Sequence, residues 1–230
     1  MNSSLSKCLS EKKVTLIVSL PENNLKLALA ALSEGADAVK MHVNVKHRAS
    51  GNEFNAAESY IDVFRHIRSK YTGPLGIVPG GSYEEIKQSE MNLLSQIGFD
   101  YFSIYAHHMP SWMLKLSNME KTFAISSDYD IEKMGQLRSL DITALEASIV
   151  PGEEYGSPLT FKDILAYKFL AEKVDVPVLI PSQRKLVPDD ISLLSQAGVK
   201  GIMLGAVVTA HTADSIKSSV ADFRNAIDKI

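Results

Sequence analysis

Residues Val176–Val208, VPVLIPSQRKLVPDDISLLSQAGVKGIMLGAVV, constrain the fold more than any other stretch of the chain. Two short apolar runs, Val176–Ile180 and Gly201–Leu204, flank a polar loop, Ser182–Pro188, and a segment of helical spacing, Pro188–Ala197, that stops at Gly198. Strands that are apolar along their whole length are buried on both faces, and two of them joined through a helix run parallel. The stretch therefore reads as one βαβ unit of a sheet covered by helices.

The rest of the chain repeats that unit. Apolar runs at Val14–Leu20, Ala38–Asn44, Pro74–Pro79, Asp100–Ala106, Thr122–Ser126 and Ala144–Val150 read as strands one to six. Helical spacing follows most of them: Leu25, Leu27, Ala28, Leu29 and Leu32 mark a first helix ended by Gly35, and a second runs from about Ala57 to Lys70. Ser82-x-x-Glu85 and Thr160-x-x-Asp163 read as capping boxes opening later helices. Pro110 starts a short fourth helix, and a fifth follows from about Tyr129. Between strand two and helix two lies a loop of 14 residues, Val45–Glu58, long enough to be functional.

Eight strand–helix units in 230 residues fit a single α/β domain, a closed (β/α)8 TIM barrel spanning residues 1–230, better than an open doubly wound sheet. Residues 1–13 are expected to form a polar arm or short helix over the barrel bottom. No GxGxxG follows strand one and no GxxxxGK[ST] occurs, so no nucleotide cofactor is indicated and cofactor-independent chemistry is favoured.

Composition narrows the function classes. A net charge of −3 offers no broad basic surface for nucleic acid. The single Cys8 excludes an intramolecular disulfide and any CxxC site. No apolar run approaches the ~18 residues of a membrane span, and the N-terminus lacks a signal-peptide core. The expectation is a cytoplasmic enzyme-sized domain without a membrane partner, with a homodimer possible.

Alternate residues of a barrel strand face the interior. On strand two, Val39, Met41 and Val43 suit the helix side, which turns Lys40, His42 and Asn44 inward. On strand six Glu146 and Ser148 face in; on strand four Tyr101, Ser103, Tyr105 and His107 do so. A structural barrel interior prefers Val, Ile and Leu. Strands two and six are both even-numbered, so Lys40 and Glu146 are expected to meet in one layer. They are either a buried structural ion pair or groups kept for chemistry. Of the adjacent His107 and His108, one is expected to point away. Two basic clusters, Lys46-His47-Arg48 and Arg184-Lys185, follow strands two and seven, where barrel active sites sit, and favour a small anionic ligand.

The end of strand eight, Gly201-Ile-Met-Leu-Gly205-Ala206, with Ala197-Gly198 before it, resembles the last βαβ of the phosphate-binding TIM barrels, the superfamily of ribulose-phosphate epimerase, the histidine- and tryptophan-pathway isomerases and thiamine phosphate synthase. The resemblance implies that Gly205 and Ala206 present backbone N–H groups to a phosphate and points towards carbohydrate metabolism. This chain departs from the family after strand seven, where Pro181-Ser182-Gln183-Arg184-Lys185 replaces the usual glycines; Ser182 and Arg184 would then hold the anion.

Together these readings lead to an enzyme acting on a small phosphorylated or anionic metabolite by acid–base chemistry at carbon, an isomerase, epimerase, lyase or synthase. Lys40, His42 and Glu146 would be catalytic, and Asn44, Arg48, Ser148, Ser182, Arg184, Gly205 and Ala206 would bind substrate, with no metal. Three alternatives stand beside it: a class I aldolase-type Schiff base on Lys40, a metal-dependent epimerase using His42, His107 and Glu146, and a non-catalytic ligand-binding barrel.

Overall fold

The computed structural model describes residues 4–230, so residues 1–3 of the expected arm lie outside it. Eight strands close a parallel barrel: β1 Thr15–Ser19, β2 Ala38–His42, β3 Leu75–Val78, β4 Tyr101–Tyr105, β5 Glu120–Ile125, β6 Ala144–Ala147, β7 Val178–Pro181 and β8 Gly201–Leu204. Each pairs with its neighbours in chain order, and β8 closes on β1 with Thr15 opposite Gly201 and Ile17 opposite Met203. The chain is a single (β/α)8 barrel.

The helices are α1 Leu5–Glu11, α2 Leu25–Ser33, α3 Ile61–Lys70, α4 Gln88–Ile97, α5 Phe161–Lys173, α6 Asp190–Gln196, α7 Ala206–Thr209 and α8 Ala213–Ile227. Among the described residues none is long and apolar enough to cross a membrane. After β4 and β5, where the spacing predicts α-helices, there are only 3-10 turns, Ala106–His108, Ser111–Lys115, Ile131–Lys133 and Leu137–Leu140. Gly135 and the left-handed Gln136 (φ 61°) interrupt any helix after β5. The Ser82–Glu85 box closes the 3-10 turn Tyr83–Glu85, and α4 starts later at Gln88; the Thr160–Asp163 box does open α5. The long loop after β2 folds into a two-stranded antiparallel ribbon, Val45–Lys46 with Glu53–Phe54.

Strand alternation divides the apolar residues into two cores. Outward-facing Leu16, Val18, Val39, Met41, Phe102, Ile104, Leu145 and Ile202 pack under the helices. Inward-facing Ile17, Ala38, Tyr101, Ala144, Leu179 and Met203 fill the barrel bottom, where α1 inserts Leu5 and Leu9 as a plug. Glu120, at the start of β5, accepts the backbone N–H groups of Leu5 (2.7 Å) and Ser6 (3.1 Å) and tethers that plug by the first turn of α1. The lower half of the barrel interior is thus filled.

Gly76 has a packing reason. A Cβ there would stand 2.1 Å from the buried Tyr101 ring, so glycine makes room for the largest side chain inside the barrel. Gly76→Ala is expected to cost ~1–3 kcal/mol, the usual penalty of overpacking, seen as a lower urea midpoint. Gly76→Ala combined with Tyr101→Leu should recover part of that loss, and failure to do so would place the strain elsewhere.

Candidate active site

Above the plug, a cavity of about 680 Å³ opens at the C-terminal ends of the strands, within the size range of small-molecule sites. Its floor is an ion pair. Lys40 Nζ donates to Glu146 Oε2 at 2.9 Å and Oε1 at 3.1 Å, and the two residues are 5% and 3% exposed. Across the strands Lys40 lies between Ser19 and Gly76, and Glu146 between Ala124 and Leu179.

His42, two residues on from Lys40, is buried at the same inner face. Its ring packs against His47 (centroids 4.3 Å apart) and Phe54 (4.9 Å), both from the ribbon. Nε2 stands 3.4 Å from Ser19 Oγ, and Nδ1 is buried without a hydrogen-bond partner. Burial first, then His47, then Lys40 hold the His42 imidazole well below its ordinary pKa; burial and Lys40 bring His47 down to about 4. Both rings are therefore neutral near pH 7. Asn23 pins the end of β2, accepting His42 N–H at 3.2 Å and donating to its carbonyl at 2.6 Å.

The opposite wall is built of hydroxyls and an amide. Tyr105, from β4, lines this wall with Ser148 and Tyr155, and burial above all pushes its phenol up to about 12. Gln183, buried after β7, donates to the Tyr155 hydroxyl at 2.5 Å and accepts Val150 N–H at 3.1 Å. Ser182 Oγ accepts Gly205 N–H at 2.7 Å. Both His107 and His108 border the cavity, the first stacked on Tyr105 at 5.4 Å, so neither points away as one was expected to.

Of the residues singled out from the sequence, Lys40, His42, Glu146, Arg48, Ser148, Ser182 and Gly205 come together around this cavity. Three do not. Asn44 lies past the end of β2 with φ 50°, and its side chain turns away to donate to Glu90 at 2.5 Å. Arg184 is buried and consumed: it pairs with Asp163 (2.9 Å) and Glu154 (2.5 Å) and donates to Ser157 at 2.5 Å, locking the loop after β7 to the loop before α5. Ala206 is buried outside the lining, and Lys185 is exposed and also outside it. The second basic cluster thus does not face the mouth. The lining carries Lys40, Lys46 and Arg48 against Glu85, Asp128 and Glu146, a balanced set rather than a positive field. Tyr155, Gln183 and the role of His47 were missed. An aromatic inside the Pro151–Leu159 loop was the one available signal for Tyr155.

Among the described residues no three His, Cys, Asp or Glu side chains converge to hold a metal ion, so the His42, His107 and Glu146 set needed by a metal-dependent epimerase does not form.

The fold and site define a (β/α)8 barrel with an ionisable floor and a polar mouth. No family model and no curated protein matches the sequence. Solved structures share the fold along nearly the whole length. Tryptophan synthase of Mycobacterium tuberculosis is 11% identical over 98% of each chain, with a TM-score of 0.76. The tryptophan synthase A-subunit of Pyrococcus furiosus is 13% identical over 93% of this chain and 98% of its own, at 0.70. Thiamine phosphate pyrophosphorylase of the same organism is 14% identical over 95% and 97%, at 0.65. The resemblance at the end of β8 is thereby matched at the level of fold.

The histidine stack carries a pH prediction. In the unfolded chain a histidine titrates near its ordinary ~6.5, whereas His47 in the fold titrates near 4. Below pH 6.5 the unfolded state binds protons that the fold refuses. The stabilisation is therefore full above pH 6.5 and is lost progressively as the pH falls towards 4, by at most about 1.4 kcal/mol per pH unit for each histidine. Urea titrations at pH 7 and 5 should show His47→Phe, which keeps the ring, losing less stability than the wild type over that interval.

Proposed function

We propose that this protein is an enzyme that moves a proton at a carbon beside a carbonyl in a small anionic metabolite, preferably a phosphorylated one, and so acts as an isomerase, epimerase, lyase or synthase. The observation that carries this reading is the Lys40–Glu146 pair at the cavity floor. A buried ion pair is a poor stabilising device, since apolar residues of like volume serve a core as well or better. Two opposite charges under an open cavity are instead suited to general acid–base work.

The roles follow from the donors available. The ammonium of Lys40 has three N–H groups, two of them given to Glu146. The third points the positive charge at a substrate carbonyl oxygen and stabilises the enolate formed when the neighbouring carbon loses its proton. Glu146 takes that proton as carboxylate and returns it as carboxylic acid. Return to the opposite face gives epimerisation and return to the adjacent carbon gives isomerisation. In a lyase Glu146 instead takes the proton of a hydroxyl on the next carbon but one to the carbonyl. That carbon becomes a carbonyl, the electron pair of the broken carbon–carbon bond becomes the enolate, and the proton is returned to the enolate carbon. His42, held neutral, serves as a hydrogen-bonding partner or proton relay rather than a cation. Ser182 keeps its own hydroxyl proton for a ligand oxygen after accepting Gly205 N–H. The phosphate in the name of one structural neighbour and the word synthase in the others support a phosphorylated substrate and the synthase branch of this chemistry.

The test is deuterium wash-in from D2O at carbons beside the carbonyl of a panel of sugar and small-acid phosphates and their dephosphorylated counterparts, followed by NMR. Wild type is expected to exchange phosphorylated members, and Glu146→Gln and Lys40→Met to lose roughly 10²–10⁴-fold in exchange rate, the usual worth of a general acid or base. Binding without exchange by the wild type would make the chain a ligand-binding barrel. A borohydride-trapped adduct on Lys40 would move the reaction to Schiff-base chemistry.

A further inference from the structure

Two cations at the mouth, Lys46 and Arg48, have no ion-pair or hydrogen-bond partner among the described residues, and of the two Arg48 is the one held in place by its neighbours. The guanidinium of Arg184 is filled by two carboxylates and a hydroxyl. That of Arg48 borders the cavity and has no ion-pair or hydrogen-bond partner among the described residues; its contact is with the face of Tyr155, 5.8 Å from the ring centroid. Arg48 leaves the ribbon after β2 and crosses to the loop after β6, where Gly152 receives it: a Cβ on Gly152 would fall 2.0 Å from Arg48 Nη1. A guanidinium held over an aromatic ring without hydrogen-bond partners keeps its N–H fork free for a bidentate acceptor. At the end of β8, by contrast, the Gly205 N–H is already given to Ser182 Oγ and the Ser182 N–H to Met203 O at 2.8 Å.

We propose that the anionic end of the ligand binds Arg48 on the wall between the ribbon and the loop after β6, with Gly152 and Tyr155 as positioning residues, rather than at the end of β8. This assignment rests on the reading of the site as one for anionic metabolites. It extends that reading by placing the anion between the loops after β2 and β6 rather than at the end of β8. It also makes Gly152 a specificity determinant that touches no ligand. The chemistry required is an anion with two coplanar acceptor oxygens, which a phosphate monoester or a carboxylate provides.

The experiment titrates full-length protein with inorganic phosphate and, separately, malonate, by isothermal calorimetry, in wild type and four variants. Arg48→Met is expected to weaken the preferred anion by about tenfold or more, the scale of a lost charge-assisted fork. Gly152→Ala should weaken it several-fold by evicting the guanidinium. The Arg48→Met/Gly152→Ala double variant should be no weaker than Arg48→Met alone, which a merely structural role for Gly152 would not produce. Preference for phosphate or malonate distinguishes the two ligand sources, and either supports the assignment. If Gly205→Asp abolishes binding while Arg48→Met leaves it intact, or if the two lose equally, the Arg48 assignment is overturned and the anionic-ligand reading survives. If neither anion binds the wild type, both fall.

Discussion

A lysine and a glutamate facing each other inside a closed barrel impose conditions on everything around them. Removing each ion from water costs several kcal/mol, recovered only when the partner is at hydrogen-bonding distance and well aligned. Lys40 and Glu146 meet that condition through both carboxylate oxygens. Meeting at all requires β2 and β6 to present them at the same height across the barrel. A one-residue slip in β2 or in β6 would send that strand's charge among the helices. Ser19 and Ala124, beside the pair, are small, and Gly76 admits the Tyr101 ring. Below them the α1 plug and its apolar layer exclude water from beneath, so the pair faces solvent only through the cavity.

The upper half of the barrel departs from a regular alternation of strands and helices in ways that serve the mouth. The loop after β2 becomes a ribbon whose His47 and Phe54 close over His42, and one buried carboxylate, Glu90, holds both ends of that excursion. It accepts from Asn44 at the entrance and from Ala57 N–H at 2.7 Å at the exit. After β4 and β5, short 3-10 turns replace longer helices and leave His107, His108, Ser126 and Asp128 at the rim. Gln183, bonded to both the Tyr155 hydroxyl and Val150 N–H, joins the end of β7 to the loop after β6. Packing thus fixes the floor and hydrogen bonds fix the walls.

This division explains what the sequence discloses. Period-two alternation is a property of the strand itself, so the inward positions of Lys40, His42 and Glu146 can be read from their own neighbours. The barrel follows for the same reason, from eight apolar runs. Asn44 fails by the same logic, because alternation says which side a residue faces only while the strand continues, and β2 ends at His42. Arg184 fails because a basic residue at a strand end is equally suited to a ligand or to Asp163 and Glu154, and nothing local tells which carboxylates the fold will bring to it. Tyr155 and Gln183 owe their places to contacts between separate loops, a relation that a single sequence does not encode in any short-range pattern.

The contrast between the two arginines has a physical consequence for the site. With Arg184 neutralised inside the protein, the loop after β7 is rigid and electrically quiet, and Gln183 beside it can hold Tyr155 in a fixed pose. That fixed ring is the surface on which Arg48 rests. One arginine therefore builds, through Gln183 and Tyr155, the platform that presents the other. Beside Lys46, the charge offered to a ligand is then a weakly hydrated fork at a defined place rather than a diffuse positive rim. A fork of that kind selects by geometry as well as by sign. The balanced lining of the cavity then works in the same direction: an anion finds net attraction at the ribbon wall and repulsion near Asp128 and Glu85. A substrate with one charged end would enter in one orientation, its uncharged end directed to Lys40 and Glu146.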